Sequence, residues 1–160
     1  MDEELFKKGL EKRKATLGKE YVEQNLENAD DFTLPFQKAM TEWCWGFGWT
    51  DETIDMKTRS MMNLAMIGAL DKMSEWEIHC RGAITNGVSK NEIRAIIHVI
   101  GIYCGVPQAL ECFRVAKKVL NENTMIYRCI TIIPPLLTYW ASRSSLSRFS
   151  SVTLKYHKKL

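Results

Sequence analysis

No two of the five cysteines stand in a Cys-x-x-Cys arrangement, so the chain lacks the paired thiols that dithiol redox chemistry needs. Cys44, Cys80, Cys104, Cys112 and Cys129 are odd in number and sit mostly in apolar helical segments, which reads as reduced core residues. There is no Cys/His cluster with zinc-ligand spacing, no glycine-rich phosphate loop and no Gly-x-Ser-x-Gly elbow. Metal, nucleotide and serine-hydrolase readings therefore have no motif to rest on. A membrane span needs about 20 apolar residues, and the apolar stretch from Ile126 to Trp140 is brief and broken by Arg128 and Pro134-Pro135. The start, Met-Asp-Glu-Glu, offers no basic segment ahead of an apolar run, so no secretory leader is expected and the expected location is cytoplasmic. Acidic residues are also missing after Glu122, although six of the 22 basic ones follow it. The predicted organisation is a net acidic body over residues 1–123 and a basic, serine-rich extension over 124–160.

What is present is one ordinary globular domain: 160 residues, 46% hydrophobic and 26% charged. Leu5, Phe6 and Leu10 recur at helical spacing, and Gly18 stops a helix over Glu3 to Leu17. A polar link is expected through Asn28. Thr33 and Pro35 open a second helix with an apolar face of Phe36, Met40, Trp43 and Cys44, interrupted at Gly46 and Gly48. Asp55 caps a third, apolar nearly all round to Leu70 and so expected to be central, with Ser60 and Asn63 taken inside. Ser74 is the expected cap of a fourth, ending at Asn86-Gly87; Ser89 and Glu92 form a capping box for a fifth, ending at Gly105; Pro107 starts a sixth. No alternating strand pattern occurs before residue 124, so the predicted fold class is all-α.

The chemistry concentrates in the fourth helix. At about 100° per residue, Lys72, Glu75, Trp76, Ala83 and Asn86 lie within about 60° of His79, while Cys80 turns toward the core stripe and Arg81 pairs with Glu77 on the opposite side. A histidine can give or take a proton near neutral pH, and a carboxylate one turn away orients the ring and favours its charged form. Glu-x-x-x-His is common on helices, so a structural or solvated pair remains the alternative. Trp43, Trp45 and Trp49 read as core or subunit-contact residues, and His98 as a hydrogen-bonded core residue.

Residues 4 to 121 resemble the carboxymuconolactone decarboxylase family, in its γ-carboxymuconolactone decarboxylase branch. The matching positions are Gly9, Arg13 and Leu17-Gly18, Asp31-Phe32, Trp45-Gly46 with Trp49, Asp55 with Thr58-Arg59-Ser60, Glu75 before His79-Cys80-Arg81-Gly82-Ala83, Asn86-Gly87-Val88, Glu92-Ile93, and Tyr103 with Gly105-Val106-Pro107 and Ala109. The resemblance implies an alkylhydroperoxidase-like bundle of about six helices, assembled as a homotrimer or homohexamer. It implies loss of carbon dioxide from γ-carboxymuconolactone or a related lactone acid in protocatechuate catabolism, with neither metal nor organic cofactor. His79 would be the proton donor and Glu75 its orienting partner, while Arg59, Ser60, Arg81, Trp45 and Trp49 would bind substrate.

Three features bear on rival readings. The peroxidase members of the superfamily carry two thiols at positions that here hold Lys72 and Glu75, so peroxidatic chemistry is not expected at this site. Asp51-Glu52 stands where a basic residue and proline are usual in the decarboxylases, and carboxylates at the mouth of a site would repel a dianion, which keeps a non-catalytic scaffold in view. The net acidic body has no basic stripe, so nucleic acid is not an expected partner. The extension over 124–160 is read as poorly ordered or irregular, with a membrane-surface or partner-binding tail as the alternative, tested by liposome binding after its removal.

Overall fold

The computed structural model describes residues 1–122, of which Met1–Asn121 form one compact unit. Expectations for the basic extension lie outside the described residues. Helices are α1 (Glu3–Leu17), α2 (Lys19–Glu27), α3 (Leu34–Met40), a π-helical segment (Thr41–Gly48), α4 (Met56–Ala69), α5 (Met73–Thr85) and α6 (Lys90–Cys104). A further helix, α7, occupies residues 106–122, and the described residues contain no strand.

The starts and stops mostly follow local chemistry. The Asp2 and Asp55 carboxylates cap α1 and α4, Ser89 and Glu92 close a reciprocal capping box on α6, and Gly18, Gly87 and Gly105 take positive φ values at the ends of α1, α5 and α6. Three expectations need correction. The polar link is helix α2, whose single buried residue, Val22, gives too little apolar periodicity to read; the Lys14–Glu23 ion pair at 2.7 Å ties it to α1. Ser74 does not cap α5: that position falls to Lys72, with no side-chain bond, after Asp71 at φ 54°. Gly46 and Gly48 do not break the second helix but ride in it as it widens to π winding, with the Trp49 N–H donating to the Cys44 carbonyl at 3.0 Å.

The main core lies among α4 to α7. Leu64, Trp76, Cys80, Ala83, Ile93, Ile97, Ile100, Cys112 and Val119 are all essentially sealed from solvent. The helix α1 packs separately on the π segment, with Gly9 against Gly46: a Cβ on Gly9 would sit 2.5 Å from the Gly46 nitrogen. Between the layers, Gly82 of α5 lies against Thr16 and Leu17 of α1. The α4 helix is less central than its composition predicts, because Met62 and Met66 remain about half exposed along one side. Of the apolar face expected on the second helix, Phe36 and Trp43 are 72% and 74% exposed, and in the π segment Thr41, Trp45 and Gly46 are the residues turned inward. His98 is exposed, its ring edge-on to Phe113, and Cys104 is exposed rather than core.

Candidate active site

Helices α4 and α5 run antiparallel and are joined by three side-chain hydrogen bonds along their length. Asn86 Nδ2 donates to Ser60 Oγ at 3.0 Å, Asn63 Nδ2 meets His79 Nδ1 at 2.8 Å, and Trp76 Nε1 donates to the Leu64 carbonyl at 3.0 Å. His79 is the middle rung of this ladder. The π segment supplies its aromatic walls: the Trp45 ring lies 6.1 Å from the imidazole at 8° between planes, the Trp49 ring 6.1 Å at 27°, and the two indoles are 4.5 Å apart. Burial pushes the ring's pKa down from its ordinary 6.5 to about 4, and the Glu75 carboxylate one turn away opposes that shift. The resting imidazole is therefore neutral at pH 7.

Next to it opens a cavity of about 380 Å³, lined mainly by apolar groups, among them Trp43, Phe47, Trp49, Met62 and Met66, with Arg59 and Asn63 as its polar members. His79 is half-buried behind Trp49 and Asn63, which are shared between the ring and the cavity wall. A volume of this order suits a small acid.

The residues singled out from the sequence separate into groups. His79, Trp45 and Trp49 come together, Trp45 buried and Trp49 reaching the cavity. Glu75 is exposed and acts on the ring through its charge; the hydrogen bond that holds the ring comes from Asn63. Ser60 is buried, donating to the Met56 carbonyl and accepting from Asn86, so its hydroxyl is engaged in joining two helices rather than open to a ligand. Arg59 borders the cavity, yet both terminal nitrogens are committed to the Gly48, Asp51 and Ile54 carbonyls, which rules out the two-handed carboxylate grip expected of it. Its charge still faces the cavity. Arg81 is paired with Glu77 at 2.7 Å, on the side of α5 away from His79. Glu52 lines a separate cleft against α1 with Lys8, Glu11 and Lys12, so it is not in the wall of the cavity beside His79. Asn63 was legible only as a polar residue inside an apolar helix, and that signal names no role.

Cys80, next to His79 in sequence, is fully buried with its thiol pushed up to about 12 by that burial. It stays protonated at any physiological pH. Among the described residues no group of His, Cys, Asp or Glu side chains could hold a metal ion.

An all-helical bundle that holds a neutral imidazole against a pair of neighbouring indoles, beside a small cavity and a guanidinium, can move a proton, while the thiol next to that ring is held protonated. Residues 35–118 match the carboxymuconolactone decarboxylase family, and the chain belongs to it. It is 42% identical over 118 residues to the nitrosuccinic acid decarboxylase of Metarhizium robertsii, covering 74% of this chain and 82% of that protein. It is 33% identical over 121 residues to the 4-carboxymuconolactone decarboxylase of Acinetobacter baylyi, covering 76% and 90%.

Proposed function

We propose that this carboxy-lyase of the carboxymuconolactone decarboxylase type acts without a cofactor on a small dicarboxylate carrying its own electron sink, and that His79 delivers the proton. The two relatives' names point to two sinks, an unsaturated lactone as in γ-carboxymuconolactone and a nitro group as in nitrosuccinic acid. In both, the electrons of the breaking C–C bond flow into the neighbouring acceptor as carbon dioxide leaves, and the resulting anion takes one proton on carbon.

The observation that carries this reading is the half-buried His79 ring, held by Asn63 and facing the paired indoles of Trp45 and Trp49, next to an apolar cavity whose wall includes Trp49 and Asn63. Low polarity there disfavours a localised carboxylate more than the delocalised anion that replaces it. A substrate dianion beside the ring raises its affinity for a proton, and the indole faces favour the imidazolium. The imidazolium then protonates carbon and is recharged from solvent, so one proton is consumed per turnover. Arg59 contributes positive potential through space. The exposed Trp43, Phe47, Met62 and Met66 bordering the cavity further support self-association as a homotrimer or homohexamer that encloses the site.

The test is carbon dioxide release from γ-carboxymuconolactone, nitrosuccinic acid and a panel of β-keto acids by the parent and by His79→Ala. Release from one of them by the parent, reduced about 10²- to 10⁴-fold in the variant, is expected. A parent inert toward all of them, or a variant as fast as the parent, overturns the assignment.

A further inference from the structure

We infer that Asn63 is a positioning residue that selects the tautomer of His79, keeping the neutral ring's proton on Nε2. The inference rests on the proposed role of His79 and adds which ring nitrogen carries the hydrogen in the resting enzyme and what ensures it. The Asn63 amide nitrogen stands 2.8 Å from Nδ1. An amide NH₂ can only donate, so Nδ1 must present its lone pair, and a neutral imidazole then carries its hydrogen on the other nitrogen.

The backbone gives Asn63 little freedom to do otherwise. It lies one residue before Leu64, whose carbonyl accepts from the buried Trp76 indole, and three after Ser60, which is bonded to Asn86. The rungs on either side fix the register of α4 against α5, and the amide meets the ring in between. Among the described residues the charged group acting on the ring is Glu75, one turn away on the same helix; Asn63, Trp45 and Trp49, from α4 and the π segment, are uncharged. A neutral donor at Nδ1 holds the resting imidazole uncharged, whereas a carboxylate there would hold it charged; when an anion arrives and the ring takes up a proton, the Asn63 amide must turn its Oδ1 toward Nδ1–H.

The resting full-length protein tests this without any substrate. The ¹⁵N spectrum of the imidazoles at pH 7.5, with His79 identified among the three histidines by its loss in His79→Gln, should show a pyridine-like Nδ1 and a pyrrole-like Nε2. In Asn63→Asp the carboxylate should recruit the proton to Nδ1 and move the ring's titration from about 4 to above 6.5. In Asn63→Leu both tautomers should appear, with kcat at least about tenfold lower and KM within about twofold on whichever substrate the parent turns over. A parent ring protonated at Nδ1, or an Asn63→Leu ring indistinguishable from the parent's, overturns the inference. The parent spectrum decides even where a variant fails to fold. Inactivity of the parent toward every acid tried would instead sink the decarboxylase assignment and leave the tautomer result standing.

Discussion

At the residue scale the decisive quantity is the difference between the His79 ring in the folded and in the unfolded chain. Unfolded, it takes a proton near 6.5; folded, burial delays this to about 4. Between those values the unfolded state binds more protons, so this group's contribution to stability is complete above about 6.5 and is lost as pH falls toward 4. At about 1.36 kcal/mol per pH unit the loss is at most about 3 to 4 kcal/mol, reduced by the ring's partial exposure. Urea unfolding at pH 7 and 4.5 should show a larger drop for the parent than for His79→Gln; equal drops would mean the ring is not held neutral. The same difference predicts that an unreactive dicarboxylate brings a proton with it on binding. Titration calorimetry at pH 7 in two buffers of unlike ionisation enthalpy should give different apparent heats, and buffer-independent heats would contradict the imidazolium as donor. Cys80 provides the contrast. Its thiol, near 12, predicts no hydroperoxide turnover with a thiol reductant and unchanged carbon dioxide release in Cys80→Ala. Peroxide turnover that disappears in that variant would return the site to thiol chemistry.

At the element scale the π segment is the feature on which the site's walls depend. Its winding brings Trp45 and Trp49 together over His79 and leaves Trp43 and Phe47 outside. It is held from α1 by contacts with little slack. Gly9 meets the Thr41 and Gly46 backbone, and the buried Arg13 guanidinium donates to Thr41 Oγ1 at 2.9 Å and to Gln37 Oε1 at 3.0 Å. Gly9→Ala would drive a methyl into backbone that no rotamer change can move aside. A destabilisation of roughly 1–3 kcal/mol is expected, together with altered fluorescence from the displaced tryptophans and a lower kcat. Full stability and native fluorescence in that variant would show that the α1 contact does not set the walls. The glycines at 46 and 48 read as helix breakers in the sequence because glycine is a poor helix former. In the structure Gly46 serves instead as the place where another helix can approach, which is a property of the pair and not of either segment.

At the scale of the whole molecule, two groups of apolar side chains stand exposed among the described residues. One comprises Trp43, Phe47, Met62 and Met66; the other, around α6 and α7, comprises Val99, Ile102, Tyr103, Val106 and Leu110. Exposure on this scale points to association. Light scattering on the purified chain should report a mass three or six times that of the monomer, and Trp43→Glu, a change at a residue 74% exposed in the single chain, should lower it while leaving the helical circular dichroism intact. A monomeric parent would remove the assembly from the account.

Local chemistry was enough to read the all-helical class, the ends of α1, α4 and α6, and the place of His79 at the border of the core, because capping, glycine turns and helical periodicity act over a few residues and leave their marks in the chain itself. The same reasoning missed α2, whose one buried residue leaves no periodic trace, and it could not show that Arg59 is engaged by the Gly48, Asp51 and Ile54 carbonyls ahead of α4 or Ser60 by Met56 and Asn86. What faces His79 was settled only by packing. Asn63 is 16 positions away, Trp45 lies in a winding that no propensity announces, and the ring's depressed pKa comes from what surrounds it, a quantity that exists only once distant segments have excluded water together.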